Sequence, residues 1–364
     1  MKSRPRLLIA AQPLDGGVAR HVVELAQALP QDRFELDVAC PRGSLTWAAL
    51  EGTGVGLHAI EAHREPRPGD ARSFASLLRL VARSDVIHVH SAKAGFLGRL
   101  AAAARSRKRV CVFSPHGWSW WAAEGAAAQL YLSLERAAAH WCETIVALSA
   151  DERAAGLAAR VGRPAQYRVI PNGVPLERFA LAREPVRGRI LMVGRLARPK
   201  RPDLALRALA TVRARVPEAY LQVAGDGPLR EEAERLAANL GVADAVRFLG
   251  NRDDVPELLA QAECALLASD YEGCPLAVVE AMAASVAVAA TAVGGTGELV
   301  QEGVTGALAA KDDADGLAAA IEAVLADPAQ AAQLGAAGRR EAEQGLSLER
   351  MAGDLVALYE ELSA

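Results

Sequence analysis

The stretch CALLASDYEGCPLAVVEAMA, residues 264–283, changes character twice in twenty positions. Its first part, CALLAS (264–269), is a short apolar run that reads as a buried strand. SDYEGCP follows with the composition of a loop. Pro275 then suits the first turn of a helix running through PLAVVEAMAA. Two acids frame this unit. Glu272 falls in the loop, and Glu280 falls between one and two turns into the helix, among Ala277, Val279, Ala281 and Met282. That is an unusual setting for a carboxylate, which needs hydrogen-bond donors there.

The same alternation recurs along the chain. Strand candidates are RLLIA (6–10), ELDVAC (35–40), DVIHVH (85–90), RVCVFS (109–114) and TIVALS (144–149). Five more follow: RILMVG (189–194), YLQVAG (220–225), AVRFLG (245–250), CALLAS (264–269) and VAVAAT (286–291). Helical patterns such as GVARHVVELAQAL and GPLREEAERLAANL separate them. Strand, helix, strand repeated this way predicts an α/β chain of parallel, doubly wound sheets. Ten strands in two groups of five fit two Rossmann-like domains better than one sheet. LAREPVRGR (181–189) is the expected join. The expected domains are 1–182 and 183–345, with 346–364 as a terminal helix. Met351, Leu355, Leu358, Tyr359 and Leu362 form an apolar stripe on that helix.

Composition narrows the function. At 364 residues and 51% hydrophobic, the chain can bury two cores. Five cysteines without CxxC spacing read as packed, reduced thiols in a cytoplasmic protein. No run reaches the roughly 18 apolar residues of a membrane span. Charge is divided: 23 basic and 16 acidic residues in 1–182 give +7, whereas 18 and 28 in 183–364 give −10. The halves are therefore expected to meet different partners. No aromatic-basic interleaving or nucleic-acid motif accompanies the basic half, so no nucleic acid is expected.

In doubly wound sheets, ligands bind beyond the carboxyl ends of strands. After the first strand, Gly16 and Gly17 let backbone approach an anion at a helix start, or simply make a turn. After RILMVG come Gly194, Arg195 and Lys200. The two cations suit a diphosphate, or form a solvated basic loop. Between Glu272 and Glu280 the backbone of Gly273, Cys274, Pro275 and Leu276 can face a phosphate. The two carboxylates can each hold hydroxyls of a sugar. On spacing alone they read equally as a loop charge and an exposed helix acid. Gly294, Gly295 and Thr296 add another backbone-rich loop. A nucleotide carrying a diphosphate and a sugar would use every one of these groups. GDGPLREEAE and PNGV read first as turns. An NAD-dependent oxidoreductase would want G-x-G-x-x-G, which DGGVAR does not supply.

Ten segments in order, DGGVARHV, IHVHSAKAGFLGRLA, SPHGW, ALSADE, VIPNGV, VGRLARPK, VAGDGPLR, FLGNRDDV, SDYEGCPLAVVEAMA and AVGGTGELV, give the chain its identity at the family level. It resembles the family-4 retaining glycosyltransferases of GT-B fold. The resemblance implies two Rossmann-like domains facing a cleft, acceptor on the N-terminal one and nucleotide-sugar on the C-terminal one. It also implies that the last helix crosses back onto the N-terminal domain. By matching position, Glu280 would hold the ribose hydroxyls and Glu272 the donor sugar. Arg195 and Lys200 would neutralise the diphosphate, with a backbone N–H from Gly17. His116 of SPHGW would sit near the reacting centre. Retention by front-side attack, with the leaving diphosphate helping to deprotonate the acceptor, would require no metal. A UDP-sugar is the first expectation and a GDP-sugar the second. A GT-B-type sugar-nucleotide epimerase is the alternative within the fold.

A softer resemblance, to the branch building bacterial surface polysaccharides, implies a polyprenyl-diphosphate-linked acceptor. It directs attention to His90 and Lys93, to the basic segment 98–109 with Arg99, Arg105, Arg107, Lys108 and Arg109, and to Trp118, Trp120 and Trp121. Tryptophans and arginines together suit the cytoplasmic face of the inner membrane, or else a core-covering cluster beside a solvated helix.

Overall fold

A computed structural model describes residues 4–61, 67–105 and 110–363. The chain divides into two compact units, Met1–Pro171 with Leu348–Ala364, and Asn172–Ser347.

The first unit holds seven parallel strands: β1 (Arg6–Ala11), β2 (Glu35–Cys40), β3 (Gly56–Ala59), β4 (Val86–His90), β5 (Val110–Ser114), β6 (Thr144–Ala147) and β7 (Tyr167–Val169). Their order is β3-β2-β1-β4-β5-β6-β7. The second unit holds six: β8 (Arg189–Val193), β9 (Tyr220–Ala224), β10 (Val246–Gly250), β11 (Cys264–Leu267), β12 (Ala287–Thr291) and β13 (Gly306–Ala309). They too run parallel, in the order β10-β9-β8-β11-β12-β13. The expected two groups of five become seven and six. The additional strands β3, β7 and β13 are three or four residues long and lie at sheet edges, too short to show an apolar period.

Burial explains the unbroken apolar runs. In β1, Leu7, Ile9 and Ala11 enter one cluster of the core, and Leu8 and Ala10 enter another. Alternate side chains point to opposite faces, and both faces are covered. Against the first face lies the terminal helix Leu348–Ser363, whose Met351, Leu355, Leu358 and Tyr359 are buried with Leu25 and Phe34. At about 1.5–3 kcal/mol for each large apolar side chain, this stripe is a large part of that face's stability. Tyr359 Oη also lies 2.6 Å from His88 Nδ1, and His88 Nε2 lies 2.8 Å from Ser114 Oγ. His88 is thereby a buried clamp joining β4, β5 and the terminal helix.

Residues 172–182, assigned from sequence to the first domain, pack with the second sheet. The Asn172 side chain donates to the Cys274 carbonyl at 2.7 Å, and the Arg178 guanidinium donates to the Asp253 carbonyl at 3.3 Å.

Both sheets reverse their strand order once, between β1 and β4 and between β8 and β11. Helices on either side of such a point leave a crevice beyond the strands' carboxyl ends.

Candidate active site

At the reversal in the second sheet, the loops after β8 and β11 come together. Gly194 leaves β8 at φ 155°, and Gly225 leaves β9 at φ 149°. A Cβ on Gly225 would stand 2.0 Å from the Gly194 carbonyl oxygen, so only glycine permits this approach. Backbone bonds then fasten 194–200 in place: Leu196 N–H to the Asp226 carbonyl at 3.0 Å, and Asp270 N–H to the Pro199 carbonyl at 2.8 Å.

Those bonds bring the expected residues into one place. The Lys200 ammonium forms an ion pair with Glu272 Oε1, and Ser269 Oγ donates to the same oxygen at 2.6 Å. Arg195 is exposed and makes no ion pair among the described residues. Gly295 N–H donates to the Glu272 carbonyl at 3.1 Å, which ties in the loop after β12. Gly294 lies at φ 49°, and a Cβ there would stand 2.1 Å from that same carbonyl. Pro275 is the N-cap of helix Leu276–Ala283, one position earlier than its sequence placement. Gly273, Cys274 and Pro275 are buried in the loop ahead of it. Glu280 is only 2% exposed. The reading of Glu280 as an exposed helix acid is therefore excluded.

Two supports escaped the sequence reading. Asn172, whose PNGV read as a turn, holds the loop through the Cys274 carbonyl. Arg201, at φ 46°, pairs with Asp203, with Asp270 at 2.9 Å and with Asp312. The basic run RPKR was the only sign of Arg201, and its three acids lie up to 111 positions away.

In the first unit, Gly16 and Gly17 open helix Gly16–Ala28 and are exposed. Gly16 has φ 82°, and Asp15 makes no side-chain cap bond, so the first N–H groups face outward. His90 ends β4. His116 lies beyond β5 at φ 54°. His90 Nδ1 and His116 Nε2 are 2.8 Å apart. Burial first, and neighbouring imidazoles second, hold both groups well below the ordinary histidine range, so both rings are neutral at pH 7. Glu152 fixes the loop carrying His116. Its carboxyl accepts from Gly117 N–H at 2.5 Å and from Leu148 N–H at 2.7 Å. Burial pushes this acid up to about 7, against the pull of those two N–H groups.

Three expectations for the acceptor side need correction. Arg99 is fully buried. It donates to Glu135 at 2.6 Å and to the Gly95 carbonyl at 2.9 Å, and its guanidinium lies 3.6 Å over the Phe113 ring. Trp118 is 1% exposed, donates to the Glu152 carbonyl at 2.8 Å and stacks on Trp120. Neither side chain can reach a lipid surface. Trp120 and Trp121 pack against the same core and are only half-buried. Lys93 is drawn to Asp70 at 2.7 Å and is largely covered. Arg105 is exposed and bonds the Leu78 carbonyl. Arg107, Lys108 and Arg109 lie outside the described residues. Among the described residues no helix is long and apolar enough to cross a membrane.

Known proteins agree with this arrangement. A sequence model described as Glycosyltransferase Family 4 matches residues 15–178, and one described as Glycosyl transferases group 1 matches residues 175–341. The chain is similar to the D-inositol 3-phosphate glycosyltransferase of Geodermatophilus obscurus, at 31% identity over 97% of this chain and 88% of that one. It is similar to the UDP-Gal:alpha-D-GlcNAc-diphosphoundecaprenol alpha-1,3-galactosyltransferase of Escherichia coli, at 27% identity over 88% and 87%. Among solved structures it is similar to Anabaena HepE in complex with UDP-glucose, with a TM-score of 0.85 at 21% identity over 98% and 99% of the two chains. Neither the epimerase nor the oxidoreductase alternative is favoured by these likenesses. Strand order, glycine-pinned loops and whole-chain similarity converge on one assignment: the chain belongs to glycosyltransferase family 4 and has the GT-B fold.

Proposed function

We propose that this glycosyltransferase moves a hexosyl or N-acetylhexosaminyl group from a UDP-sugar to a hydroxyl of a polyprenyl-diphosphate-linked saccharide, with retention and without a metal. A GDP-sugar is the second choice of donor. One observation carries the reading. Lys200, Glu272, the 273–276 loop and buried Glu280 gather at the strand-order reversal of the second unit, beside exposed Arg195. Similarity to the Escherichia coli UDP-Gal-dependent relative and to HepE, which binds UDP-glucose, supports a uridine donor, and the former supports the lipid-linked acceptor.

The roles follow from charge. The Lys200 ammonium is paired with Glu272. A diphosphate carries more negative charge than one carboxylate and draws the ammonium toward itself. Glu272 Oε1 is then released to accept from a sugar hydroxyl. Arg195 joins Lys200 on the departing phosphate, and Glu280 accepts from the ribose hydroxyls. Held donors and cations aimed at developing charge supply the catalysis. His116, neutral and set by Glu152, accompanies the acceptor hydroxyl. The enzyme works in the cytoplasm, with peripheral contact at the inner membrane through surfaces other than Arg99 and Trp118.

The test is transfer of labelled sugar from UDP-galactose, UDP-glucose, UDP-N-acetylglucosamine and GDP-mannose to undecaprenyl-diphosphate-N-acetylglucosamine, with and without EDTA. Product anomeric configuration is read by NMR. Transfer from one UDP-sugar that survives EDTA, with retained configuration, is expected. Thermal stabilisation by NAD alone, with no nucleoside diphosphate effective, would overturn the reading.

A further inference from the structure

Three histidines from separate elements meet in the first unit: His21 on helix Gly16–Ala28, His90 at the end of β4, and His116 beyond β5. A ligand-capable nitrogen from each lies within 4.8 Å of the other two. Ring centroids stand 4.8 Å apart for His21 and His116, 5.1 Å for His90 and His116, and 5.4 Å for His21 and His90.

We propose that His21, His90 and His116 bind one divalent cation of the imidazole-preferring class, zinc foremost. Imidazole nitrogens suit zinc, nickel and copper, and three protein ligands leave a further position for water. Zinc–nitrogen bonds of about 2.0–2.1 Å in a tetrahedral site set nitrogens roughly 3.3 Å apart. The 2.8 Å contact joins His90 Nδ1 to His116 Nε2; with these two nitrogens as ligands it opens by about half an ångström to admit the ion, and His21 closes on the third side. His88, although its ring lies 4.0 Å from that of His90, is excluded from the ligand set. Tyr359 and Ser114 occupy both of its nitrogens. His116 is only partly buried. All three ligands belong to the first unit. The ion takes the His116 lone pair and therefore suppresses transfer rather than supporting it, a consequence that rests on the role proposed for His116.

The test uses full-length protein stripped with EDTA, dialysed, and titrated with Zn²⁺ by calorimetry. Co²⁺ substitution then reports coordination geometry through its visible absorption. One ion per chain is expected, with affinity reduced about 100-fold or more in His90→Ala and His116→Asn. Asparagine tolerates the left-handed backbone at position 116, so that variant tests the ligand even if His90→Ala unfolds. His140→Ala, on the exposed surface, should bind as the parent does. No stoichiometric zinc binding, or binding unchanged in His116→Asn, would overturn the proposal whatever the outcome of the sugar-transfer assay.

Discussion

Glu280 and Glu152 are both buried acids, and they call for opposite experiments. If Glu280 holds the ribose, Glu280→Gln keeps shape and loses the charge-assisted bonds. Those are worth about 1.5–3 kcal/mol, so UDP should bind roughly 10- to 150-fold more weakly by calorimetry. Unchanged affinity would remove Glu280 from the donor site. Glu152 is a matter of pH. Its folded carboxyl is raised from 4.5 to about 7. Below about 4.5 both folded and unfolded chains hold the proton, and this group's favourable contribution is complete. As pH rises through about 7 the unfolded chain has ionised while the folded one resists, and that contribution is lost, on the order of 3 kcal/mol. Glu152→Gln should therefore flatten urea midpoints between pH 5 and pH 8 while lowering them at the acidic end, where a backbone N–H loses its acceptor. A slope equal to the parent's would contradict this assignment. At this scale, sequence showed residue type and spacing but not covering neighbours. Glu272 and Lys200 could each be placed after a strand. That Arg99 would disappear over Phe113 and against Glu135 could not be seen, because 36 positions separate that pair.

Loops pinned by glycine are the elements on which the proposed donor site depends. Gly294→Ala places a Cβ against the Glu272 carbonyl in a left-handed backbone. The expected cost is about 1–3 kcal/mol of stability. UDP affinity should fall with it, because the displaced carbonyl carries the Glu272 loop. Urea unfolding and calorimetry on one preparation check both. Full donor affinity in a destabilised variant would separate the loop from the site. Long strands such as β1 and β8 were legible as apolar runs because both of their faces are covered. The edge strands β3, β7 and β13 were not, since three or four residues carry no period. The loop at EGCP was legible, although Pro275 caps the helix instead of entering its first turn. PNGV was read only in part, for its asparagine acts across 102 positions.

The chain builds its first unit from both of its ends, and the terminal helix completes one face of that unit's core. Tyr359→Phe removes one bond to buried His88 and should cost about 1–3 kcal/mol. Deleting 348–364 should do far more. The first unit would lose its cooperative thermal transition, while the second, whose residues run from 172 to 347, keeps its own. Two intact transitions after the deletion would show the helix to be dispensable. The apolar stripe was plain in the sequence, whereas its partner came only from family resemblance, because periodicity names a buried face without naming what buries it.

That returning helix also sets a timetable. A ribosome that has made the first 171 residues must still translate the 176 of the second unit before the closing segment appears. At 5–20 residues per second the wait is roughly 9–35 s. Through that interval the nascent unit presents Leu7, Ile9 and Leu25 without the terminal helix that packs against them. A chaperone on the first half would shield that face, and rapid translation of the second half would shorten its exposure.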